Sequence, residues 1–364
     1  MSRRGVIEML LIALMPCCSA FAAAEELRIL CWEGYAAPEY RVSFEQLVKE
    51  QFGIEVKVVV QNVSDPQEFF DGVRGKTADL ISPAHNIPKS ERWPLIQAGL
   101  VLPLNLDNIP NYAQIIPALQ RAEYITENGE VYGAPIVYGP YGLAYNTAIF
   151  TEPPTSWQVL WAPQYQGKYA ISSDYHEANI YVAALAAGLS KEHIFQFNTV
   201  NTPEIQQRID ELAQYAKTLW VGVDTADDLH GLALATAWGF SFPELQRRGE
   251  VWKMAAPEEG TTGWVDNWMI SAGLKDNPTM KAIAEAWINY SLSPDIQVGY
   301  VRNIAQFPVN ITIKDRLTPE ENATYHLDDP TYFEKQLVLW KVLSRNDQDG
   351  FRRMWKKAIQ KRAP

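Results

Sequence analysis

The chain has 364 residues, enough for two ordinary domains or one large α/β domain, and an apolar fraction of 47% places it among globular proteins. Its formal net charge of −11 repels phosphate, which argues against nucleic-acid backbone binding. An acidic balance suits a cationic ligand, but it also suits many proteins that are simply soluble.

Arg3 and Arg4 precede an apolar run at residues 9–15. Small residues then lead to Ala22-Ala23-Ala24, ahead of Glu25 and Glu26. A basic start, a short apolar core and an A-x-A site read as a cleaved export signal over residues 1–24. The run is too short to span a bilayer, and no later stretch is long and apolar enough, so the mature chain is expected to be soluble and periplasmic. Cys17 and Cys18 raise lipidation as an alternative, against which Pro16 stands where a small residue is expected. Cys31 alone remains after cleavage, so no intrachain disulfide forms. It reads as a small buried apolar side chain.

Residues 27–32 read as a strand, 42–52 as a helix ended by Gly53, and 54–60 as a second strand. Residues 69–73 read as helical, 78–82 as a short buried strand, and 88–98 as a helix closed by Gly99. The alternation predicts a mainly parallel sheet with helices on its faces, and ligands in such sheets sit beyond the carboxyl ends of strands. Residues 32–35 and 83–86 lie just past two of those ends. A Gly-, Pro- and Tyr-rich passage at 132–145 reads as a crossing between domains. A second α/β set follows: strand 168–172, helix 175–187, a long amphipathic helix 203–219, strand 232–238 and strand 251–256. Helices at 278–290 and 294–300 come next. The last helix, 348–361, carries Arg352, Arg353, Lys356, Lys357 and Lys361. Cations there complement the helix dipole as a solvated face. A docking patch for a partner is the other reading.

Between these sets lies Gly263-Trp264-Val265-Asp266-Asn267-Trp268, a second crossing. On a strand, Trp264, Asp266 and Trp268 share one face. An acid between two indoles is a candidate cage for an organic cation, with charge from the acid and cation–π attraction from the rings. A half-buried strand with a solvated aspartate is the plainer reading. Asp174-Tyr175-His176-Glu177 opens a helix. It reads either as a capping box or as two carboxylates at a helix mouth that hold an ammonium. Asp224, Asp227 and Asp228 lack the glycine and closing glutamate of a calcium loop and read as helix caps.

Catalytic signatures are absent. No GxGxxG, P-loop or GxSxG occurs, and the five histidines show no metal-ligand spacing. The chain is read as a non-enzyme with neither cofactor nor metal.

Several segments resemble the periplasmic polyamine-binding proteins of ABC importers, the spermidine/putrescine receptors. Trp32 and Tyr35 stand as an aromatic pair after the first strand. Asp79-Leu80-Ile81-Ser82-Pro83 resembles that family's D-L-V-x-P turn. Ser156-Trp157, Leu160-Trp161-Ala162-Pro163 and Tyr165-Gln166-Gly167-Lys168 match its S-W-x-x-L-W-x-P-x-Y-x-G-K run. Asp174 and Glu177 match a D-x-x-E pair, Trp238 a tryptophan after a strand, and Pro257 to Gly260 with Trp264 and Asp266 the P-x-E-G and W-x-D elements. The resemblance covers residues 27–310 and fades beyond.

It implies a type II periplasmic-binding-protein fold: two α/β lobes with a ligand cleft between them, closing by hinge motion. Residues 25–137 with 267–312 would form one lobe, and 138–266 with 313–364 the other. Trp32, Tyr35, Trp238 and Trp264 would box the methylene chain of a polyamine. Asp174, Glu177 and Asp266 would neutralise its amines, and Phe307 would stand where the family often has a tyrosine. Glu33 reads either as a fourth carboxylate or as solvent-facing. His85 reads either as a partner for an amine or as the end of its strand. Three acids match a triamine such as spermidine or norspermidine, while a diamine such as putrescine would leave one spare. The expected partners are this ligand and an inner-membrane ABC permease, with the chain as a monomer. The alternative is a polyamine sensor that docks on the periplasmic domain of a membrane signalling protein. An enzyme acting on an amine or a sugar would need a nucleophile or metal that the sequence does not offer. A receptor for a metal-loaded ligand would need a Tyr-Tyr pair with a histidine, which is also missing.

Overall fold

Strand Glu25–Cys31 lies between Val56–Asn62 and Leu80–Ile81 and runs parallel to both. The computed structural model describes residues 24–329, 332–333 and 337–362, so the export signal expected at the N-terminus, with Cys17 and Cys18, falls almost wholly outside the described residues. Helix Pro38–Phe52 connects the first two strands. It opens on a proline at its N-terminus and closes on Gly53, whose φ of 67° is the left-handed conformation that suits a glycine cap. Tyr40, Phe44 and Val48, four residues apart, form its buried stripe against the sheet.

Across the whole sheet the strands run in the order Val56–Asn62, Glu25–Cys31, Leu80–Ile81, Thr261–Ser271, Ala134–Asn146, Leu234–Ala237, Tyr169–Ser172 and Thr218–Trp220. The two long strands in the middle are the crossings between two α/β lobes. They pair antiparallel from Thr262 opposite Tyr141 to Trp268 opposite Ala134, with a register shift at Asp266/Asn267. One end of Thr261–Ser271 joins Leu80–Ile81 in the first lobe, and the far end of Ala134–Asn146 joins Leu234–Ala237 in the second. All thirteen residues of Ala134–Asn146 are buried, as expected of a strand covered on both faces. Gly139 lies opposite Trp264, and a Cβ there would touch the indole at 3.4 Å.

The family-like signatures of the second lobe hold one another. Ser156 donates to Glu259, and the Trp157 indole donates to the Gly260 carbonyl at 2.8 Å. The S-W and P-x-E-G elements therefore fasten the short 3-10 helix Trp157–Trp161 to the turn that precedes strand Thr261–Ser271 rather than reaching toward a ligand.

Four expectations need correction. Residues 88–98 form turns, not a helix; Pro94 lacks the amide that a helix interior requires, and the Lys89 ammonium is drawn to the Thr126 carbonyl instead. The helix expected over 203–219 ends at Tyr215, because the run Thr218–Trp220 pairs as a strand with Tyr169–Ser172. Asp174 is not a cap: helix His176–Ala186 starts after Tyr175, with no side-chain cap. Residues 313–325 pack on helix Pro294–Ile304 of the first lobe, through Arg302 to Glu321 at 2.8 Å and the Tyr325 hydroxyl to the Val301 carbonyl at 3.2 Å. The last helix, Arg345–Lys361, docks Phe351, Met354, Trp355 and Ala358 on the second lobe. Its arginines 352 and 353 are exposed, and Lys361 pairs with Asp210.

Candidate functional site

The turn after the first strand places the first two side chains. Gly34 takes φ 91°, and the Tyr35 amide reaches the Trp32 carbonyl at 3.4 Å. This turn buries Trp32 and Tyr35 and leaves Glu33 exposed. From the crossing strand, Trp264 and Asp266 reach the same cavity as Tyr35. Trp238 follows the end of Leu234–Ala237, with its ring edge-on to Trp264 at 5.8 Å and to Tyr175 at 4.9 Å. Trp340, just after strand Leu337–Leu339, stands 5.7 Å from Trp238 and 6.1 Å from Tyr175. These residues, with Phe240, surround a cavity of about 30 Å³ in which Asp266 is the one carboxylate.

Asp266 is only 4% exposed, and among the described residues its carboxylate has a single hydrogen bond, donated by the Tyr35 hydroxyl 2.6 Å away. No lysine, arginine or histidine lies within 4 Å of it among the described residues. Burial pushes its carboxyl well above the usual carboxylate range, and the Tyr35 hydrogen bond offsets this only in part. A buried carboxylate with one neutral donor is costly unless a cation joins it. The surrounding rings offer the cation–π faces and apolar walls that an alkylammonium requires.

A second chamber of about 120 Å³ adjoins the first, and Trp32, Ala84, Tyr175 and Trp340 belong to the walls of both. Its acids are Asp65, Asp174 and Glu177. Asp174 accepts from the Ser172 hydroxyl at 2.8 Å and from the Gly222 amide at 2.9 Å. Burial raises its carboxyl above the usual value, and these donors pull it back. Glu177 lies 3.3 Å from the His176 ring. Among the described residues no cluster of three or more His, Cys, Asp or Glu side chains could hold a metal ion.

The structure thus gathers Trp32, Tyr35, Trp238, Trp264 and Asp266 around one chamber, and Asp174 and Glu177 around the other. Three candidates lie elsewhere. Glu33 faces solvent, for the reason given by the turn. His85 is buried with both ring nitrogens engaged: Nδ1 accepts from the Val265 amide at 3.2 Å, and Nε2 donates to the Trp340 carbonyl at 2.7 Å. Burial lowers its pKa to about 4, so the ring is neutral and clasps the Trp340 segment to the crossing strand. Phe307 pairs with Tyr138 on the crossing strand and spends its ring on Tyr138, Tyr325 and Tyr332. Sequence reasoning missed Tyr175, Phe240 and Trp340. Tyr175 sits inside the Asp174–Glu177 motif, where only the acids drew attention, and Trp340 lies where the resemblance has faded.

Residues 75–333 match the model of the bacterial extracellular solute-binding protein family, and the chain belongs to that family. The spermidine/putrescine-binding periplasmic protein of Escherichia coli K12 is 24% identical over 229 residues, which cover 61% of this chain and 62% of that protein. The chain thus matches somewhat less than two thirds of that relative. A putrescine/cadaverine-binding protein of Pseudomonas aeruginosa is 24% identical over 96% of this chain and 98% of its own length. Among solved structures, a putative spermidine/putrescine ABC transporter protein from Listeria monocytogenes superposes with a TM-score of 0.75 at 18% identity, over 93% of this chain and 100% of that one. The same two-lobed fold recurs in a binding protein of A. tumefaciens B6 in complex with glucopine, at a TM-score of 0.65 and 16% identity over 93% and 100% of the two chains. The fold alone therefore does not choose the ligand.

Proposed function

We propose that the chain is an exported solute-binding protein that captures a polyamine between its lobes and presents it to an inner-membrane ABC permease. The observation that carries this reading is Asp266, a buried carboxylate with one hydroxyl partner inside an aromatic box. One ammonium pairs with Asp266. The methylene chain passes along Trp32, Tyr175 and Trp340, and a second ammonium meets Asp174 and Glu177. The ligands for which the Escherichia coli and Pseudomonas aeruginosa relatives are named, spermidine, putrescine and cadaverine, support the same chemistry. In this reading residues 25–137 with 267–325 make one lobe and 138–266 with helix Arg345–Lys361 the other, the two hinge about the crossing strands, and export places the protein in the periplasm.

Calorimetry tests this on protein unfolded and refolded to strip carried-over ligand. Putrescine, spermidine or norspermidine is expected to bind at one site per chain. Absence of heat with all three would overturn the polyamine reading.

A further inference from the structure

We propose that Arg92 and Arg352 act as a charge stop at the end of the second chamber and determine specificity by penalising polyamines that extend a further ammonium beyond it. This rests on the polyamine reading above. The two arginines come from opposite lobes, Arg92 from the turns after Ile87 and Arg352 from helix Arg345–Lys361, and both line the chamber that contains Asp174 and Glu177. Arg352 is exposed and Arg92 half-buried, so they stand at its solvent side.

Neither guanidinium has a carboxylate within 4 Å among the described residues, and Arg92 rests over the Trp93 ring at 4.9 Å. Elsewhere, Arg28, Arg248 and Arg302 each hold an acid at 2.5 to 2.8 Å. The interior of the chamber has the opposite character. Besides its carboxylates, the amide oxygens Asn86 Oδ1 and Gln348 Oε1 are buried without a hydrogen-bond donor among the described residues. An ammonium carries three N–H donors and no acceptor, so these oxygens suit one cationic group. A next group along the chain would meet two unneutralised guanidiniums. Like charges in partly screened surroundings repel modestly, and salt weakens the effect. The stop therefore ranks ligands by length and does not forbid any of them.

The test measures the affinities of putrescine, spermidine and the tetraamine spermine by calorimetry on the full chain. The variants are Arg92→Gln, Arg352→Gln, the double variant, and the control Arg353→Gln. Arg353 lies on the same helix but packs over Phe197, outside the chamber. The double variant is expected to raise the spermine-to-putrescine affinity ratio by roughly 5- to 30-fold at low salt, each single variant less, and the gain should shrink at high salt. Arg353→Gln should leave the ratio as in the parent. An unchanged ratio in a double variant that still binds putrescine would overturn the charge stop and leave the polyamine reading standing. A parent chain that binds none of the three would overturn both.

Discussion

Two buried aspartates, one in each half of the site region, show how differently the fold can treat the same side chain. Asp224 is 1% exposed and has four donors: the amides of Trp238, Gly239 and Ser241 and the Ser241 hydroxyl, at 2.6 to 3.2 Å. Asp266 is 4% exposed and has one. Burial raises both carboxyls, but at Asp224 the donors pull the value back, while at Asp266 only Tyr35 does so. Asp224 is a piece of architecture that shapes the loop carrying Trp238 into the cage. Asp266 is left short of partners in a wall that is otherwise apolar. Depth of burial does not separate the proposed binding residue from the scaffold residue, whereas the count of donors among the described residues does.

Asparagine at each position tests the contrast. Asp266→Asn is expected to weaken polyamine binding by about 3–5 kcal/mol, since it leaves a dehydrated ammonium without its counter-charge. Titration calorimetry reads this directly, and unchanged affinity would mean that Asp266 does not meet the amine. Asp224→Asn is expected to lower folding stability by about 2–4 kcal/mol, because one oxygen becomes an NH2 that faces backbone amides. Denaturant melts check this, and an unaltered midpoint would remove Asp224 from the scaffold role.

The smallest effect is the most diagnostic. Without ligand, Asp266→Asn is expected to stabilise the protein by about 1–2 kcal/mol at neutral pH. The sign follows from the raised carboxyl of Asp266 in the folded chain. Below the unfolded value, near 3.9, both states hold the proton and the parent pays nothing. As pH rises through the folded value the unfolded chain has already ionised, so the parent loses stability, and above that value the loss is complete. Thermal melts of the two proteins should therefore agree at acid pH and diverge toward neutrality. Parallel curves across the range would show that Asp266 is compensated by a group other than Tyr35.

Much of this was legible in the residues. The strand–helix alternation up to residue 82 and the GWVDNW crossing follow from periodicity and glycine stops, and the acids and indoles of the cage stand in recognisable motifs. Other features were hidden for physical reasons. Gly99 as a stop made residues 88–98 resemble a closed helix, although Pro94 lacks the amide that the ladder requires. His85 looked free because its two partners lie 180 and 255 residues away in the chain. Trp340 carries no local pattern: strand Leu337–Leu339 is only three residues long and is held by parallel pairing to Thr261–Gly263. Donor counts at Asp224 and Asp266 are tertiary facts, and nothing in the two local sequences distinguishes them.

The position of Asp266 on a strand shared by both lobes has a bearing on what a membrane partner can perceive. On the proposed hinge motion, shutting the lobes would strip water from that carboxylate, and without a counter-ion the cost would fall on closure itself. If a polyamine is the ligand, an unloaded molecule would be held back from the shut shape by its own missing charge, and the amine would relieve that resistance as it enters. A transporter that recognises only the shut outline would then be protected from fruitless encounters by electrostatics alone, with no separate checkpoint in the fold.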